Sequence, residues 1–69
     1  MIRTLVIEGM MCSHCEARVK KTLEAVNGVN SAEVSHVSGK AIVDCAESVS
    51  GEVLAAAVTA QGYEVKNIQ

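Results

Sequence analysis

The sequence predicts an α+β fold: a ferredoxin-like βαββαβ sandwich, with a four-stranded antiparallel sheet carrying two helices on one face. Three observations predict it. Apolar residues alternate along four short segments, a helical period runs through two others, and the order is strand, helix, strand, strand, helix, strand. Each strand segment offers a single apolar face, so both helices must cover the same side of the sheet. That is the split βαβ arrangement.

The first strand is Thr4 to Glu8, with Leu5 and Ile7 on one face, and Gly9 ends it. From Ser13 to Val26 the period becomes helical, placing Cys15, Val19, Leu23 and Val26 on one stripe. Glu16, Arg18, Lys20, Lys21 and Glu24 fall on the remaining faces, as on a solvated amphipathic helix. Asn27-Gly28 stops it, with Gly28 suited to the left-handed cap. Val29 to Val37 reads as a strand with Ala32 and Val34 on one side. A short turn, Ser38-Gly39-Lys40, leads into a strand from Lys40 to Cys45, where Ala41, Val43 and Cys45 share a face. Ser50 is a fitting N-cap for a helix from Gly51 to Ala60 with Leu54, Ala57 and Val58 inward. Gly62 ends that helix, and Tyr63 to Ile68 is the last strand.

A chain of 69 residues is expected to form one domain, residues 1–69, with no linker or low-complexity stretch. It is 49% hydrophobic, too much for a disordered chain, yet Tyr63 is its one aromatic residue and it has no proline. The core must therefore be mostly Val and Ala. Domains this small bury only about 60% of their unfolded surface, so little stability is in reserve. A net charge of −2 calls for no nucleic acid, and a single aromatic makes no base-stacking platform. A large catalytic cleft does not fit this length. The reading is a binding module, not an enzyme.

Cys12 and Cys15 sit together and Cys45 is far off, unlike the even, spread cysteines of a disulfide-stapled secreted domain. Residues 1–10 lack the signal-peptide apolar run of roughly 7–15 residues, because Glu8 and Gly9 interrupt it. Nor does any stretch reach the roughly 18 apolar residues of a membrane span, so direct membrane insertion is not expected. The expected compartment is the cytoplasm, with the paired cysteines reduced.

The chemistry concentrates in Gly9-Met10-Met11-Cys12-Ser13-His14-Cys15. Cys12 falls in the loop and Cys15 in the first helical turn, so both thiols converge near a helix N-terminus. Unpaired N–H groups there favour thiolates, lowering the pKa below the free value of about 8.5. Two adjacent thiolates form a soft, low-coordination site that suits Cu(I). A structural Zn(II) site wants four ligands, and only two are at hand. His14, between the two cysteines, is expected to point outward. Met10 reads as a core plug, Cys45 as a small core residue in phase with Ala41 and Val43, and His36 as a half-buried rim histidine.

GMMCSHC, together with Gly62-Tyr63-Glu64-Val65 near the C-terminus, resembles the heavy-metal-associated domain, most closely its small bacterial copper chaperones. The resemblance covers essentially the whole chain. It implies Cu(I) as the bound ion, with Cys12 and Cys15 as its ligands and Cys12 the more exposed thiol, first to engage a partner. It also implies that Met10 anchors the loop in the core and that Tyr63 lies close to the metal. Other soft ions such as Zn, Hg or Cd would bind the same pair in vitro. The implied partners are a copper-transporting P-type ATPase and a copper-responsive repressor. A monomer is expected, with a metal-bridged dimer as the loaded alternative. Met11 departs from the pattern, in which Thr or Ser is common and Asp marks domains that handle zinc. Without that carboxylate the zinc reading is weaker.

Competing readings are a metal-binding domain cut from such an ATPase, a mercury or zinc scavenger, and a dithiol oxidoreductase. The start at Met1 close to the first strand, and the end at Gln69 just after the last, favour a free-standing protein over the first of these. A thioredoxin-like centre also places C-x-x-C at a helix start, but its active site leans on a cis-proline, and this chain has none. Arg18, Lys20 and Lys21 form a small basic patch near the loop, able to steer an acidic partner.

Overall fold

The computed structural model describes residues 1–69 and contains six elements: β1 (Ile2–Glu8), α1 (Ser13–Glu24), β2 (Val29–Ser35), β3 (Lys40–Cys45), α2 (Gly51–Ala60) and β4 (Glu64–Ile68). The four strands form one sheet in the order β2-β3-β1-β4, and all three pairings are antiparallel. This is the expected ferredoxin-like α+β fold.

Alternation along the strands becomes burial. Leu5 and Ile7 of β1 and Ala41, Val43 and Cys45 of β3 point into the core, while Ile2 and Ile42 face solvent. Val19 and Leu23 of α1 and Leu54 and Val58 of α2 meet them. All twelve buried side chains are apolar. Cys15, Val26, Val34 and Tyr63 pack against this cluster from its edge. Ala57, expected inward, is half-buried.

Several element ends differ from the sequence expectation, each for a tertiary reason. β1 begins at Ile2 rather than Thr4, because Ile2 and Arg3 pair with Asp44 and Val43. α1 ends at Glu24 rather than Val26; Ala25 is its C-cap, and the Val26 N–H bonds the Leu23 carbonyl instead. β2 stops at Ser35, leaving Val37 exposed in the hairpin turn. Val49 is a buried residue that periodicity did not reveal. Gly28 makes room for it: at φ +97° it has no Cβ, and one would lie 2.5 Å from Val49 Cγ2.

The register brings three connections to one end of the sheet. Glu8 lies opposite Glu64, which places the β1–α1 loop beside the α2–β4 loop. Ile7 donates its N–H to the Gly39 carbonyl at 2.7 Å, which draws the β2–β3 turn to the same end. The residues expected to carry chemistry lie there.

Candidate metal centre

The β1–α1 loop leaves the sheet at Gly9, whose φ of +102° is open chiefly to glycine. A Cβ at Gly9 would lie 3.6 Å from the Tyr63 ring, so the loop runs close against that side chain. Met10 turns into the core with 6% of its surface exposed, and Met11 turns out with 82% exposed. One apolar side chain anchors the loop while its neighbour stands in solvent.

Cys12 is the N-cap of α1, with extended backbone. Its carbonyl accepts the N–H groups of Cys15 at 3.0 Å and Glu16 at 3.2 Å, closing the first turn. Its side chain makes no capping bond. The two sulfurs are 3.8 Å apart, and all three cysteines are free thiols. Cys12 is exposed and Cys15 is half-buried against the core. Ser13 and His14, between them, both face solvent.

The Cys15 thiol is lowered from 9.0 to about 7. Hydrogen bonding from the Tyr63 side chain is the main cause, followed by the Met11 main chain. Partial burial opposes the shift, while the Cys12 thiol and main chain add to it. The same contact raises the Tyr63 phenol above its usual 10.0. Near neutral pH, Cys15 is therefore partly thiolate, the form that binds soft metals. The first cause is not the helix N-terminus expected from the sequence but a phenol that folding brings in from the other end of the chain.

Cys45 lies 1% exposed at the end of β3 away from the loops, so folding does not bring it to the pair. Nowhere do three or more His, Cys, Asp or Glu side chains gather into a metal-binding group. His36 is half-buried as expected, just past β2, and its partner is Glu16 of α1. That pairing was not visible in the sequence. The largest surface groove runs between α1 and the edge strand β2, lined by Ser13, Glu16, Ala17, Lys20, Glu33 and Val34, and includes neither sulfur of the pair. The sulfurs thus stand on an open rim, where an incoming ligand has access, and not in an enclosing pocket.

The heavy-metal-associated domain matches residues 4–64, a span that includes both cysteines of the pair. A mercuric reductase of Shewanella putrefaciens is 44% identical over 62 residues, covering 90% of this chain but 11% of that enzyme. The copper chaperone CopZ of Staphylococcus haemolyticus is 42% identical over 65 residues, covering 93% of this chain and 96% of the chaperone. Among solved structures, a CopZ metallochaperone superposes with a TM-score of 0.91 at 35% identity, covering 94% of this chain and 98% of its own. No helix here is long and apolar enough to cross a membrane.

Proposed function

The chain belongs to the heavy-metal-associated domain family, and from that membership we propose that it is a cytoplasmic Cu(I) metallochaperone. Cys12 and Cys15 hold the ion as cargo and pass it on by ligand exchange. The observation that carries this reading is the sulfur pair itself: free thiols 3.8 Å apart on an open rim, one exposed and the other lowered to about 7. Two soft donors satisfy Cu(I) and leave room for a third. A thiolate of the partner enters, a three-coordinate intermediate forms, and Cys12 or Cys15 departs. No bond of an organic substrate is made or broken, so the protein is a carrier and not an enzyme.

The acceptor on this reading presents a similar dithiolate, as the family resemblance implies for a copper-transporting P-type ATPase. The single unit of residues 1–69 works as a monomer. The 42% identity to a copper chaperone supports the copper-carrier reading. A second reading, a mercury-handling domain, is favoured by the 44% identity to mercuric reductase.

Anaerobic competition against a colorimetric Cu(I) chelator, repeated with Hg(II) and Zn(II), tests both. The expected result is one tightly held Cu(I) per chain, lost in Cys12→Ser and in Cys15→Ser and kept in Cys45→Ala. Loss of binding in Cys45→Ala overturns the assignment of ligands. Hg(II) held tightly with Cu(I) released freely favours the mercury reading.

A further inference from the structure

Glu16 follows Cys15 in the first turn of α1, and its N–H closes on the Cys12 carbonyl at 3.2 Å. Its carboxylate leaves the helix. Oε2 accepts the main-chain N–H of His36 at 2.7 Å and also meets the His36 ring at Nδ1. A first-turn carboxylate ordinarily interacts favourably with its own helix N-terminus; this one crosses to the β2–β3 turn. Both side chains are largely shielded, His36 at 32% and Glu16 at 27% exposure. The His36 N–H, then its ring, hold the Glu16 carboxyl below the usual carboxylate range, so the charged form is the one that is bonded.

The consequence falls on Cys15. On one side the α2–β4 loop packs Tyr63 against the loop that carries the pair, its ring 3.6 Å from where a Cβ at Gly9 would lie. On the other, the neighbouring Glu16 ties the same helical turn to the hairpin. Cys12 has no such support: its side chain is exposed, caps nothing, and has only the Cys15 sulfur at 3.8 Å as a partner. We infer that the Glu16–His36 contact is a positioning device for Cys15, holding its sulfur as the resident ligand while Cys12 stays free to engage a partner. This rests on the copper-carrier reading above.

The test uses Glu16→Ala, which removes both contacts, and Glu16→Gln, which keeps an acceptor for the His36 N–H. Amide hydrogen exchange is followed in the metal-free protein, and Cu(I) release to a chelator in the loaded one. Glu16→Ala is expected to speed exchange at the Cys15 and Glu16 amides about tenfold, the effect of losing one charge-assisted hydrogen bond. Exchange at Val19, Leu23 and Val43 stays as in the parent, and Cu(I) leaves several-fold faster. Glu16→Gln brings both rates most of the way back to those of the parent. Unchanged exchange at the two amides overturns the inference, and so does equal acceleration at the core amides, which would mark a general loss of stability. A parent protein that holds no Cu(I) overturns the carrier reading instead, while metal-free exchange still decides the tether.

Discussion

The two strand-to-helix connections, β1 to α1 and β3 to α2, occupy corresponding places in the two βαβ halves of the fold, yet they treat their helix N-termini in opposite ways. After β3 the chain enters α2 through Ser50, whose hydroxyl accepts the Val53 N–H at 3.2 Å. After β1 it enters α1 through Cys12, whose side chain caps nothing. One N-terminus is closed by a hydroxyl, at the position where such a cap is typically worth about 1 kcal/mol. The other leaves N–H groups and the positive end of the helix dipole available beside two sulfurs. On the copper-carrier proposal, the same architecture is used once for stability and once for chemistry.

The widest way to break this comparison is to make the first connection resemble the second. Cys12→Ser removes one sulfur and installs a good N-cap at the same position. Cu(I) binding in chelator competition is expected to collapse. Chemical denaturation of the metal-free protein should show a gain of about 1 kcal/mol. The opposite signs matter. A variant that lost both binding and stability would show that Cys12 contributes to the fold, and the functional reading of the uncapped end would fail.

The converse substitution tests the other connection. Ser50→Ala removes the hydroxyl that accepts the Val53 N–H, and a loss of about 1 kcal/mol is expected. In a domain of this size that lowers the midpoint of thermal unfolding by roughly 4–8 °C. Cu(I) binding should be unaffected, since Ser50 belongs to no part of the sulfur site. A change in Cu(I) hold would mean that the two connections are coupled through the core.

How far these differences can be read without the structure depends on the range of the interaction that sets them. Ser50 as a cap is legible because the residue and its partner are three apart. The inward faces of β1 and β3 are legible for the same reason, since alternation puts Leu5 with Ile7 and Ala41 with Val43. Ends and pairings that depend on another strand are not. β1 reaches Ile2 only because Asp44 lies opposite, and Val49 is buried partly because Gly28, far away in sequence, leaves it space. At the site, the sulfur pair and the Met10 plug were read from the loop and the resemblance it carries. The tie from Glu16 to His36 was not, because it exists only once the hairpin turn is drawn to the end of the sheet where α1 begins.

The smallest expected effect concerns the partner that α1 borrows from outside its own connection. Tyr63 is the first cause of the lowered Cys15 thiol, and Tyr63→Phe keeps the ring against Gly9 while removing the hydroxyl. The hydroxyl bonds the thiolate, so its loss makes the proton harder to remove. Followed by thiolate absorbance in the ultraviolet, the Cys15 midpoint should rise from about 7 part of the way to 9.0. The rate of Cys15 alkylation at neutral pH should fall by no more than about tenfold, the equivalent of one pKa unit. The parent and the variant should converge well below and well above this window, where both are fully protonated or fully ionised. Stability follows the same sign. A thiol lowered in the folded state contributes stability above its unfolded value and loses it as pH falls through about 7. The variant should therefore show a flatter profile between these limits. A midpoint that does not move would return the shift to the Met11 main chain and to Cys12, contacts made within the first connection itself.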